Sequence, residues 1–559
     1  RSIGRGDIVW NSVPYTVESE TMTRELFETC LLLSKRLDKK YNKQTIAAKM
    51  TDVPGHTRSI IDPMYDAGIR LLHVGINSAC PLPSVPTFCR WRSPSGNDLL
   101  LVYQKDYGED EVLPDGKTVV SINFTGDNHG PHSYERVKKI YADLRKRYPQ
   151  AQLVGASFND VARELLLIKK DLPVVTSEIG DTWIFGYGGA PIRMAKFRAV
   201  SRLYSQWLNE GKIKKDSDVA LDFAAELGLI AEHTQGVDVK THLRQWDKYD
   251  MDKFLKGRSE GVFSMAEASW KEIDNYIDSA IAFLPASLQK EAREVVAEVD
   301  KVKLEDNSKM KPMARKRWEQ PIAGGMTLAG LSYQMFDGDD YDDFQNRYLR
   351  ARYEWALDDL GKRGLKESHA VSVTLYAQTM AQSVRKEKKG TRIITELRFP
   401  ENEKVDKRVY PERIQVNCFT TKNGKRSEVA LTIYGKPAVR LPESYWLSFT
   451  VPGIESVIAE KMGERVNLMD VVEKGNRQMH GIDRYVDLIT SGETIRISSK
   501  EAFLLNVGEA QGLNYSTNYP DKRKGVHFNL NNNLWGTNFS MWNEGSLTYH
   551  FVIETLSRK

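Results

Sequence analysis

The sequence predicts an α/β region followed by helices and then an all-β region, and three changes of texture along its 559 residues carry that prediction. Over 1–245, apolar strand-like runs alternate with helical stretches: "TVVSINFTG" precedes "YERVKKIYADLRKRY", and "AQLVGAS" precedes "FNDVARELLLIKK". Such alternation builds βα units on a parallel sheet. Over 246–365 the pattern is helical, with Trp270, Ile273, Ile277, Ile281 and Leu284 three and four residues apart on one face, the core stripe of a helical bundle. Over 366–559 the runs "AVSVTLYAQ", "TRIITELRF", "RIQVNCFTT" and "VALTIYG" read as strands, and Asn423-Gly424 between two of them is a type I′ hairpin signal. A C-terminal antiparallel β-sandwich is therefore expected.

Composition narrows the class. The chain is too long for one core, and 41% hydrophobic with 28% charged residues is the balance of an ordinary globular protein. A net charge of +5 over this length gives no nucleic-acid footprint. The densest basic run, "RKEKKGTR" from Arg385 to Arg392, contains a Gly between strand-like segments and reads as a solvated hairpin tip. No apolar run has the length of a membrane helix. The sequence starts at Arg1 without a signal peptide, as an interior point of a longer product would. Cys30 and Cys418 are expected as buried thiols. Cys80 and Cys89 flank "CPLPSVPTFC" and have the spacing for a disulfide, which would suit a periplasmic or secreted protein, although four cysteines do not decide the compartment.

The chemical candidates stand at strand ends, where an α/β fold presents loops to a ligand. In "KMTDVPGHTRSIIDPMYDAGIRLLHVG", Asp52 precedes a rigid Pro-Gly-His corner. It is either a reactive carboxylate or the cap of a helix starting near His56 and Thr57. "NFTGDNHGPHSYERV" places Asp127, Asn128, His129 and His132 in a Gly-bounded loop, so two carboxylates have the means to converge as glycosidic-bond hydrolysis requires. "IAEHTQGVDVKTH" offers Glu232, His233 and Asp238, with His233 either a metal ligand or a satisfied histidine. "SEIGDTWIFGYGGAP" offers Asp181, Trp183 and Tyr187, aromatics for a sugar face or for the core.

In this order the segments resemble the catalytic domain of glycoside hydrolase family 38, the retaining α-mannosidases, and more closely a bacterial group of unknown function with the same fold. "MTDVPGHT" is similar to the family's "QIDPFGHS", which makes Asp52 the match to the nucleophile and zinc ligand. "FCRWRSPSGNDLLLVYQKDYG" resembles the "FEWRG" strand and its "ILTH" run, and "TGDNHGP" resembles "GDGGGGP", which makes Asp127 the match to the acid/base. "EHTQGVD" stands where the family has "FHDILPGS", matching His233 to the last zinc ligand. "GVHFNLNNNLWGTNFSMW" is similar to "FNLYNNLWGTNFPMW" of the unknown-function group.

The resemblance implies a (β/α)7 barrel, a helical bundle and a β-sandwich. It also implies a zinc ion that orients substrate hydroxyls, a retaining α-glycosidase activity at the end of an oligosaccharide, and sugar contacts from His56, Trp91, Asn128, His129, Asp181, Trp183 and Tyr187. Two departures stand against it. Nothing before "GRGDIVWNSVPYT" matches the family's "HxD" pair of zinc ligands, so that strand lies upstream of Arg1 or the site is incomplete. Phe185 in "WIFGYG" replaces the family's His and changes the floor of the pocket. The alternatives are a carbohydrate-binding relative with a decayed site, or elimination or deacylation on the same barrel.

Overall fold

The computed structural model describes residues 1–125, 129–306, 308, 310–536 and 538–556. The N-terminal part is built on an open sheet of five strands: β1 (Ala47–Asp52), β2 (Leu71–Ile76), β4 (Asp98–Gln104), β3 (Phe88–Arg92) and the short strand Val174–Val175, in that spatial order. Strands β1, β2 and β4 run parallel, and β3 runs antiparallel to β4. β2 and β4 are buried along their whole length, which is why they read as continuous apolar runs rather than alternating ones.

Side chains along a strand point to opposite faces. On one face Ala47, Leu71, Leu100 and Val102 cluster with Ala162 and Leu165 of the helix Phe158–Leu167. On the other, Ala48, Met50, Leu72, Val74, Leu99 and Leu101 enter the main core with Leu26, Phe27 and Leu31 of the helix Arg24–Tyr41. Each fully buried Leu, Val, Met or Phe among them contributes about 2 kcal/mol of apolar burial. The helix Arg24–Tyr41 begins where the Thr23 hydroxyl accepts from the Leu26 N–H at 3.4 Å, and ends at Asn42 in the left-handed region.

Two expected βα units do not form. "AQLVGAS" makes no strand, and of "TVVSINFTG" only Val119–Val120 pairs, with Glu111–Val112 in a separate two-stranded ribbon. β-Branched residues form strands where a sheet surface buries them. Here Val154 and Phe124 are exposed, and the helix Tyr134–Arg147 buries only Leu144. The sheet edge beyond β3 is taken by Val174–Val175 instead. Among the described residues the sheet stays open, and no closed barrel is present.

The helical stretch comprises Met251–Ser259, Ser264–Ala282 and Ala286–Asp300, with the stripe from Trp270 to Leu284 buried as expected. The helical pattern expected through 365 breaks after Asp300: Thr327–Met335 is a central strand of a seven-stranded sheet, and helices resume at Gly338–Tyr348, under a capping box from Asp337 and Asp340. Two large antiparallel sheets, of seven and ten strands, make up the C-terminal part. Phe449 and Phe528 of the first meet Phe551 of the second at ring-centroid distances of 5.4 and 5.1 Å. "TRIITELRF", "RIQVNCFTT" and "VALTIYG" are consecutive strands of the ten-stranded sheet. Asn423-Gly424 does lie in their hairpin, but only Gly424 has positive φ (65°), so the turn is not type I′, which requires it at both central residues. "RKEKKGTR" forms the exposed tip between Gln378–Glu387 and Gly390–Arg398.

All four cysteines are free and buried, so the Cys80–Cys89 disulfide is absent. The Cys80 thiol instead meets the Tyr348 hydroxyl at 3.4 Å and accepts from the Trp183 indole N–H at 3.2 Å. Among the described residues no helix is long and apolar enough to cross a membrane.

Candidate active site

The carboxyl ends of β1, β2 and β4 lie side by side, and each delivers one polar side chain to the same point. Asp52 ends β1, Asn77 follows β2, and Tyr107 follows β4. Asp52 Oδ1 accepts from Asn77 Nδ2 at 2.8 Å and from the Tyr107 hydroxyl at 2.8 Å, and Asp52 Oδ2 pairs with His233 Nε2 at 2.9 Å. The Asp52 side chain keeps 19% of its surface open to solvent, whereas that of His233 keeps 6%. Asp52 therefore caps no helix. Thr57 caps the turn that follows, its hydroxyl accepting from the Ser59 N–H at 3.3 Å.

Backbone conformation holds this arrangement. Asp52 has φ +86°, a left-handed conformation that costs a non-glycine residue roughly 1–3 kcal/mol and survives only where surrounding contacts over-determine it. Thr16 supplies part of that constraint, its hydroxyl accepting from the Thr51 N–H and its carbonyl from the His233 N–H, both at 3.0 Å. Asp106 and Tyr107 are also left-handed, and the Tyr107 carbonyl accepts from Lys49 Nζ at 3.0 Å. Gly75 permits this approach, because a Cβ there would sit 2.6 Å from the Tyr107 carbonyl oxygen. Gly55 and Gly180 make comparable approaches: a Cβ on Gly55 would lie 2.4 Å from the Ile179 carbonyl, and one on Gly180 2.2 Å from that of Asn476. The Pro-Gly-His corner after Asp52 thus rests on the 179–181 loop, which rests in turn on the C-terminal part.

The electrostatics favour a charged Asp52. Burial pushes its carboxyl up, but the His233 bond and charge, with the bonds from Asn77 and Tyr107, outweigh this and leave it below the ordinary carboxylate value. Burial likewise pushes His233 down, and the bond to Asp52, with the charges of Asp52, Glu232 and Asp181, carries it above its ordinary value. Behind this pair lie two further acids, Asp181, which the sequence singled out, and Glu18, which it did not. Glu18 and Asp181 are fully buried, and neither carboxylate oxygen of Glu18 has a hydrogen-bond partner among the described residues. Burial first, and then neighbouring acids, push Glu18 well above its ordinary value, and burial raises Asp181. Deeper still, Lys461 pairs with Glu20 at 2.9 Å and Glu178 at 3.1 Å, with side-chain exposures of 1%, 3% and 2%.

The other expected residues that are described do not add a side chain to Asp52. Asp127 and Asn128 lie outside the described residues, and His129 is exposed. Trp91 is fully buried and donates to the Ser177 carbonyl at 2.9 Å, so it offers no face to a sugar. Trp183 is 3% exposed. Its ring tilts against that of His233 at a centroid distance of 4.8 Å and its indole N–H donates to the Tyr348 hydroxyl at 3.1 Å, so it supports the imidazole. Asp181 is 1% exposed and accepts from the Trp183 N–H at 2.8 Å. Tyr187 is buried and donates to the Glu232 carbonyl at 2.9 Å, and Phe185 is a core residue 6.1 Å from Trp446 rather than a pocket floor. His56 is 1% exposed beside Ser19, and burial lowers it to about 4, which keeps it neutral. These aromatic and polar types are read as ligand contacts only when exposed, and sequence alone does not give exposure.

Zinc takes three or four protein donors. Of the expected set Asp52 and His233 meet, but among the described residues no three His, Cys, Asp or Glu side chains are placed to hold an ion, and His233 Nδ1 has no second partner to fix it as a ligand. The described donors alone do not make a zinc site.

Residues 188–320, well under half of the chain but including His233, match a family described as a domain of unknown function, DUF5054. No curated protein sequence matches. Among solved structures, an α-mannosidase from Enterococcus faecalis V583 superposes with a TM-score of 0.57 at 9% identity, over 100% of this chain and 79% of that one. The chain shares that fold. A second Enterococcus faecalis protein, in glycosyl hydrolase family 38, covers 98% of this chain and 77% of its own at 9% identity, and its TM-score of 0.49 adds nothing to the fold assignment.

Proposed function

We propose that the chain is a carbohydrate-active hydrolase, a retaining α-glycosidase that acts at the end of an oligosaccharide with Asp52 as its attacking carboxylate. The observation that carries this reading is the convergence of Asn77, Tyr107 and His233 on Asp52 at the carboxyl ends of parallel strands, in a fold shared with an α-mannosidase. Asn77 and Tyr107 occupy Oδ1, which leaves Oδ2 to attack the anomeric carbon. The Oδ2–carbon bond forms as the bond to the leaving oxygen breaks, and that oxygen takes a proton from an acid. Asp127 is the residue proposed for this proton, on the likeness of "TGDNHGP" to the acid/base loop of the mannosidases. Water then attacks the same carbon, frees Asp52 and returns the proton. Protonated His233 offsets the charge of Asp52 between turnovers, and its bond to Oδ2 must give way as that oxygen attacks. No step is routed through a metal.

Hydrolysis of a panel of aryl α-glycosides by the purified chain tests this. Release of the aryl group from at least one α-linked member, with the sugar product first formed in the α configuration, is expected. A second reading, a relative that binds carbohydrate without cleaving it, is favoured by a metal-ligand set that reaches only two donors among the described residues. Retained glycan binding without turnover would select it.

A further inference from the structure

We propose that a cleft away from Asp52 is a second binding site, for a neutral oligosaccharide. The cleft has a volume of about 590 Å³, within the range of ligand sites. None of Asp52, Asn77, Tyr107 or His233 lines it. One wall is a single face of the helix Ser264–Ala282, whose residues Glu267, Lys271, Asp274, Asn275 and Asp278 follow helical spacing. The opposite wall is the segment from Ser540 to Glu544, and Trp270 and Trp542 pack edge to face between them at 4.8 Å.

Charge defines the ligand. The strongest charges of the cleft cancel one another: Arg193 bonds Asp274 at 2.6 Å, and Arg258 bonds Glu267 at 2.7 Å and Glu544 at 2.5 Å. What remains unspent is balanced. Lys271, Asn275 and Asp278 have no ion pair or hydrogen bond among the described residues, and Asn543 Nδ2 is a buried donor with no partner. An anion would face four carboxylates and a cation would face Arg258, Lys196 and Lys271. A hydroxyl both donates and accepts. A row of them satisfies Asp278 as donor and Lys271 and Asn543 as acceptor at once, over a floor closed by the buried Trp270 and Trp542.

Calorimetric titration of the full chain with mannotriose, maltotriose and cellotriose tests this without reading turnover, so its result is separate from that of the proposed activity. Saturable binding of at least one trisaccharide is expected. Asp278→Ala and Asn543→Ala are each expected to weaken it at least tenfold while leaving aryl-glycoside hydrolysis unchanged, and Asp52→Asn is expected to bind as wild type does. Asp278 is exposed on its helix, so its replacement leaves packing intact. No saturable binding of any of the three, binding insensitive to both cleft substitutions, binding lost in Asp52→Asn, or binding of inorganic phosphate or trigalacturonate in place of the neutral sugars would overturn the proposal.

Discussion

Asp52→Asn is expected to reduce aryl-glycoside turnover by several orders of magnitude while the thermal melting point stays close to that of wild type. An amide cannot form the glycosyl ester that a retaining mechanism requires, so the loss falls on the chemical step. Folding tolerates the change for a local reason. Asn adopts positive φ as readily as Asp, and its carbonyl oxygen still accepts from Asn77 and Tyr107. Wild-type activity in the variant would remove Asp52 from the mechanism, and a collapse of the melting point would assign it a structural role. Circular dichroism melting beside steady-state kinetics separates the two.

Lys461→Met is expected to be among the most destabilising single substitutions in the chain, at about 3–5 kcal/mol, because it strands two buried carboxyls that have one cation between them. The loss depends on pH. Burial first, and then the charge of Glu178, hold Glu20 up at about 7 even with Lys461 pulling it down. A carboxyl whose folded value is raised favours the folded state when protonated. That contribution is complete below its ordinary value of 4.5 and is lost as the pH rises through about 7. Without Lys461 the folded value of Glu20 rises further, so urea midpoints should show a deficit that is large at about pH 8 and smaller at about pH 5, where Glu20 takes up a proton at less cost. A deficit independent of pH would mean that lost packing, not charge, is responsible.

This triad also illustrates what the sequence does not disclose. Glu20, Glu178 and Lys461 come from three distant segments, and no spacing rule joins them. Asp52 and His233 were legible because each lies in a segment with a recognisable neighbourhood, a Pro-Gly corner after a strand and a His among acids after an apolar helix. Asn77 and Tyr107 were within reach but unread: Asn77 follows directly on, and Tyr107 three residues after, an apolar run that proved to be a buried parallel strand, and the carboxyl ends of such strands are where a site is to be sought. Trp91, Trp183 and Tyr187 misled for the opposite reason, since an aromatic that fills a core and one that meets a sugar have the same letter. The strand runs "LLHVGI" and "DLLLVYQ" formed as continuous apolar stretches should, whereas "AQLVGAS" failed because no sheet surface was there to bury it.

In the proposed reaction the Asp52 carboxylate attacks the anomeric carbon. Incubation of the chain with activated 2-deoxy-2-fluoro α-glycosides, whose glycosyl esters form and then hydrolyse slowly, followed by peptide mass spectrometry, tests it most directly. A single glycosyl adduct on the peptide that contains Asp52, absent from Asp52→Asn, is the predicted result. An adduct on another carboxylate, or turnover of the parent glycoside with no adduct on Asp52, would contradict the account.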